Sequence, residues 1–208
     1  MGALRGSIGY SKLHVRGDLP DRFADRFVEA IRLRAFRPLK PSDEDDERVG
    51  WVSIHHPFDT DLDHGKLFAN EYLNLGLRID RYRIPGAILK AHLAEAEAAR
   101  LEESGQSRLS KTQREDVKAM VVRRLREQFL PAMRVVDVSF NVQTNVVRFF
   151  SHSTKMQETL IEIFESTFKL TLVQDGAYVR AENLQLSSGL LDAVASLEPE
   201  LFHVERPR

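Results

Sequence analysis

Apolar and polar residues alternate most regularly over residues 72–84, where Leu73, Leu75, Leu77 and Ile79 interleave with Asn74, Gly76, Arg78 and Asp80. A period of two predicts a strand with one buried face. Residues 4–15 alternate more loosely around their glycines and predict an opening strand. From Asp21 the period lengthens, placing Phe23, Phe27, Ala30, Ile31 and Leu33 on one face of a helix that Pro38 and Pro41 end. The run Ser-Asp-Glu-Asp-Asp-Glu at 42–47 predicts a solvated acidic loop, and residues 50–54 a short strand.

Pro85 suits a first helical position, and Leu89, Leu93, Ala96 and Arg100 follow at helical spacing. After a turn at 104–107, Thr112 and Glu115 have the spacing of a capping box. The helix they open carries Val117, Met120, Val121, Leu125 and Phe129 as its apolar stripe and stops at Pro131. Two helices joined so briefly predict an antiparallel hairpin, 85–131, standing out from a single domain, 1–208. Residues 135–142 and 145–150 then predict two strands connected at 143–145. A helix follows from Ser153 or Thr154, with a second capping-box spacing at Thr154 and Gln157. Its apolar positions are Met156, Leu160, Ile161, Ile163, Phe164 and Phe168. A strand at 170–173, a short helix at 190–197 and a frayed tail at 199–208 complete the reading. The order β-α-β-β, helical hairpin, β-β-α-β predicts an α+β fold with mixed or antiparallel sheets.

Composition narrows the chemistry. The 208 residues include no cysteine, which excludes disulfide scaffolds, Cys-ligated zinc, thiol catalysis and iron–sulfur clusters. No apolar run approaches the ~20 residues that span a bilayer, and the N-terminus is not that of a signal peptide, so a soluble cytoplasmic protein without membrane contact is expected. The net charge of −1 conceals segregation. Residues 1–40 hold nine Lys/Arg against four Asp/Glu, and residues 111–134 hold seven against three, whereas the intervening and following blocks are acidic. Such segregation permits a local phosphate-binding surface at a near-neutral average.

His55, His56, Asp59, Asp61, Asp63 and His64 crowd into ten residues, but no metal-ligand spacing is met, and a solvated loop is the competing reading. Nucleophile-elbow, Walker A and dinucleotide-binding motifs are missing, so neither catalysis nor a cofactor nor a metal is expected. The basic blocks remain. Lys111, Arg114 and Lys118 follow one another at three and four residues along the second hairpin helix, and Arg123, Arg124 and Arg126 fan out on the next turn. The apolar stripe is expected opposite them. Arg32, Arg34 and Arg37, with Lys40, end the first helix. Rows of this kind suit phosphates, and they also suit solvated helix faces and helix C-termini.

Several stretches resemble the recombination-associated RdgC family of bacterial nucleoid proteins. They are Gly50-Trp51-Val52, then Ile84-Pro85 with Ile88-Leu89-Lys90 and Leu93, then Leu109 with Lys111-Thr112, Val117-Lys118, Leu130-Pro131 and Thr159-Leu160. The resemblance covers about residues 45–175 and, more loosely, the N-terminus. It implies a ring-shaped homodimer that encircles duplex DNA on a basic inner surface without sequence preference and restrains the RecA recombinase. The alternative is a non-catalytic protein–protein adaptor that keeps the core and not the DNA binding. The chain departs from the family's pattern in a longer second hairpin helix and in Met133 or Arg134 where an aromatic follows Leu-Pro. It also stops at Arg208, where family members continue, so an open clamp is an alternative to a closed ring.

Overall fold

In the computed structural model, which describes residues 2–4 and 8–197, the chain passes through β1 (Ser11–Arg16), α1 (Phe23–Leu33), β2 (Glu47–Val52), α2 (His64–Leu67) and β3 (Phe68–Ala69). It continues through β4 (Tyr72–Arg81), α3 (Gly86–Ser104), α4 (Lys111–Gln128), β5 (Ala132–Asn141) and β6 (Val146–Phe149). The last elements are α5 (Thr154–Phe168), β7 (Thr171–Gln174), α6 (Ala177–Asn183) and α7 (Ser188–Ala195). The fold is α+β. Its strands form one sheet in the order β2-β4-β5-β6-β1-β7, with β3 against β4, and every ladder is antiparallel. No helix among the described residues is long and apolar enough to cross a membrane.

The apolar halves of the alternating strands meet across the ladders. Leu75 stands opposite Val138, Leu77 opposite Val136 and Trp51 opposite Leu77. Against this face pack Phe27 and Ile31 of α1 and Leu160, Phe164 and Phe168 of α5, in one core that draws on both sides of the hairpin. Each such side chain contributes about 1.5–3 kcal/mol on burial. The buried Trp51 indole donates to Thr167 Oγ1 at 2.9 Å, so its one polar atom is satisfied.

The opposite face of β4 departs from the half-exposed strand that its alternation predicts. Arg78 and Asp80 are buried and bonded to each other. Arg78 Nη1 also donates to the Pro57 carbonyl at 3.1 Å, and Phe36 and Phe58 flank its guanidinium. The histidine-rich segment is thereby folded down onto the sheet. The acidic loop is not free either: Asp43 binds Arg48, and both Asp43 and Asp46 bind Arg126.

Element ends moved where local bonding outweighed pattern. The opening strand starts only at Ser11; residues 5–7 and the tail expected at 199–208 lie outside the described residues. Leu33 is 74% exposed and leaves the apolar face of α1. α4 begins at a box of Ser110 and Gln113, not Thr112 and Glu115: Gln113 N donates to Ser110 Oγ at 3.2 Å and Ser110 N to Gln113 Oε1 at 2.8 Å. At α5 the N-cap is Ser153, which puts Thr154 and Gln157 at the first and fourth helical positions, so no box forms, and Gln157 Nε2 donates to Ser11 Oγ.

The unforeseen α6 is held by long-range polar contacts. Asp175 accepts from Arg180 at 2.6 Å and meets His14 Nε2 at 3.0 Å, Asn183 bonds the other nitrogen of His14, and Arg16 pairs with Glu182. The Arg180 guanidinium, and after it His14, hold the Asp175 carboxyl down at about 2 against the opposing effect of burial. A depressed carboxylate pKa stabilises the fold above the unfolded value, and that contribution disappears as pH falls through the folded one. Urea unfolding of the parent and of Asp175→Asn is therefore expected to differ most above pH 4, with the gap closing between about 3.8 and about 2. A gap that stays constant over that range would contradict the assignment.

Candidate nucleic-acid interface

The hairpin is built as a two-helix unit. Gly105 ends α3 in the left-handed region at φ 64°, where glycine carries no steric penalty. Val117, Val121 and Leu125 of α4 pack against Ile84, Leu89, Leu93, Ala96 and Phe129. This seam is the hairpin's apolar interior, and α3 has no fully buried residue. Met120, expected on the stripe, is 59% exposed.

The cations flank the seam; they do not oppose it. Arg114 and Lys118 precede Val117 and Val121 by three positions, about 60° to one side on a helical wheel, while Arg124 follows Val121 by three, about 60° to the other. Lys111, Arg114 and Lys118 accordingly line one open groove, of about 660 Å³, with Arg108, Leu93, Glu97 and Glu115. Arg108 was not anticipated; it lies just before α4, outside any helical period. Lys111 and Glu115 are 4.0 Å apart and exposed, a contact too weak to neutralise the lysine. Arg124 lines the groove on the far side, of about 500 Å³, with Ala96, Ala99, Glu95, Glu103, Asp116 and Met120. Arg123 is exposed and lines neither groove.

Arg126 drops out of the set. It is 7% exposed, turned back to Asp46 and the Asp43 carbonyl, with its guanidinium 5.3 Å from the Tyr82 ring. Its role is to fasten α4 to the body. The other basic block is also partly engaged: Arg32 Nε donates to the Leu62 carbonyl at 2.8 Å and Arg34 Nε to Ser166 Oγ at 3.1 Å. Arg34 and Arg37 line a third groove, of about 390 Å³, which shares no residue with the hairpin grooves. The two basic blocks thus serve separate grooves.

The histidine-rich segment is held by its own bonds. Lys66 binds Asp59 and Asp61, Asp63 caps α2 through Lys66 N, and His64 stacks on Phe68 at 4.7 Å. The Lys66 ammonium beside Asp59 holds that carboxyl below the usual carboxylate range. Among the described residues, no three His, Asp or Glu side chains gather where they could hold a metal ion. The stretches behind the RdgC resemblance fall largely in packing positions: Trp51 and Val52 in the core, Ile84, Leu89 and Leu93 in the hairpin seam, and Leu109 buried at its turn, whereas Leu130 is 93% exposed. No family model and no curated protein matches the chain.

Proposed function

We propose that this protein binds duplex DNA through its phosphates, without sequence preference, with the groove of Arg108, Lys111, Arg114 and Lys118 as the principal contact. The observation that carries this reading is the convergence of four cations on one open groove where only Glu97 and Glu115 oppose them. Phosphate binding asks for cations on a rigid support and for no base-reading module. The RdgC resemblance points the same way and adds a homodimer and an effect on the RecA recombinase to the proposal. In this reading the protein is a binding protein and not an enzyme.

Affinity for a duplex should fall steeply with salt, with a log–log slope of about −0.9 for each phosphate neutralised, hence roughly −3 to −4 for this groove. Exchanging Arg114 and Lys118 together for alanine should flatten the slope by about two and weaken unrelated sequences equally. Fluorescence anisotropy with two duplexes of different sequence measures both quantities. Binding that the double variant leaves unchanged would remove the groove from the proposal.

A second reading, a protein adaptor, is favoured by the far groove, where Met120 is exposed between Ala96, Ala99 and a rim of mixed charge. Met120→Glu should abolish self-association or partner capture there and spare duplex binding, as sedimentation and anisotropy together would report.

A further inference from the structure

The sheet brings together a second cationic group that sequence order conceals. Lys12 of β1 stands directly opposite Arg148 of β6, Arg148 opposite Ser139 of β5, and Ser139 opposite Asn74 of β4. These four side chains lie on the sheet face opposite the one packed by α1 and α5, with Asn74 and Arg148 half-buried and Ser139 buried. The Arg148 guanidinium lies 5.8 Å from the centre of the Tyr10 ring and 5.6 Å from that of Tyr72, and holds the Tyr72 hydroxyl below the usual phenol range. Tyr10 is 39% exposed and is steadied from another side by Phe150 at 5.9 Å. Lys12 is exposed as well.

Like charges directly opposite on neighbouring strands destabilise a sheet. Among the described residues, neither Lys12 nor Arg148 pairs with a carboxylate; Asp175, whose backbone N–H donates to the Lys12 carbonyl, has its side chain taken by Arg180 and His14. The two tyrosines hold Arg148 in place, but no carboxylate offsets its repulsion with Lys12. An anion between them would. Two tyrosines beside a cation pair supply what an unpaired polynucleotide presents in alternation, a flat base and a phosphate. A duplex keeps its base faces stacked inside and cannot use an exposed ring in this way.

We propose that Tyr10, Lys12, Tyr72 and Arg148 form a binding site for a single polynucleotide strand, with a base stacked on Tyr10 and its phosphates on Lys12 and Arg148. The site is separate from the hairpin groove and does not depend on that reading. Anisotropy of the full chain with labelled oligothymidylate, oligouridylate and a blunt duplex tests it, with Tyr10→Leu, Lys12→Ala and the Arg114/Lys118 double variant alongside the parent. Leucine keeps the contact with Phe150 and removes the stacking face. Tyr10→Leu should weaken single-strand binding about tenfold and leave duplex binding within about twofold. Lys12→Ala should flatten the single-strand salt slope by about 0.7. Preference for one oligonucleotide over the other would identify the strand as DNA or RNA.

The hairpin double variant should lose duplex affinity and keep single-strand affinity, so the two sites fail separately. The proposal is overturned if the parent binds neither oligonucleotide. It is also overturned if Tyr10→Leu, folded by circular dichroism, binds them as the parent does, or if polyglutamate competes as well as oligothymidylate.

Discussion

Arg78→Ala is expected to cost about 3–5 kcal/mol of folding stability, the range for removing one partner of a buried ion pair. The guanidinium donates to both carboxylate oxygens of Asp80, Nε to Oδ1 at 2.9 Å and Nη2 to Oδ2 at 2.6 Å, and both side chains are almost wholly buried. It also fills the space between Phe36 and Phe58, 4.0 and 4.9 Å from their ring centres, and caps the Pro57 carbonyl. Alanine would leave a buried carboxylate without a counter-charge, two rings without a partner and a carbonyl without a donor. Urea unfolding followed by the fluorescence of Trp51 measures the loss. Changing both members, Arg78→Met with Asp80→Asn, should recover a large part of it, because the stranded charge is then absent. A loss below about 1 kcal/mol for the single change would mean that water reaches Asp80 and that the clamp on the 55–64 segment is made by other contacts.

Gly50→Ala should cost about 3 kcal/mol or more, at the upper end for overpacking. A Cβ on Gly50 would lie 2.4 Å from Phe36 Cα and 2.7 Å from Phe36 N, and backbone cannot swing aside as a side chain can. The close approach exists because the segment after α1 pairs with the edge of β2: Trp51 N donates to the Arg34 carbonyl at 3.0 Å and Phe36 N to the Trp51 carbonyl at 2.8 Å. Forcing the two backbones apart would break both bonds and lift the cover from Trp51. Glycine inside a strand commonly marks such an approach of another backbone. Gly86→Ala provides the contrast. A Cβ there meets nothing within 4 Å at the start of α3, so the change should be neutral or stabilise by up to about 1 kcal/mol. Equal effects from the two glycines would show that chain entropy, and not the contact with Phe36, sets the cost.

Gly50-Trp51-Val52 illustrates how a short motif can be legible as a pattern and opaque as a cause. The strand was evident from its apolar residues, but the need for glycine comes from Phe36, which reaches it through the turn after α1. The same division runs through the hairpin. Its two helices and its apolar seam follow from local spacing, and so does the exposure of Lys111, Arg114 and Lys118. Their placement beside the seam was within reach of the helical wheel as well. The burial of Arg126 was not, because its partners Asp43 and Asp46 lie 83 and 80 residues earlier in the chain.

What the sequence by itself determined is the set of elements with strong periodicity: α1, β4, the α3–α4 hairpin, β5, β6 and α5, and with them the α+β class. Hydrophobic period is a local property, and it states which side of an element must be covered. It does not state what covers the other side. The tertiary structure decided that β1 lies between β6 and β7, and that Arg78 and Asp80 are interior. It also decided that α6, with Ala181 as its one buried residue, is held by His14 and Arg16. The juxtaposition of Lys12 with Arg148 belongs to the same class. Cross-strand neighbours are chosen by the whole sheet's register, and the fate of a charge depends on the counter-charge or solvent that the fold places beside it.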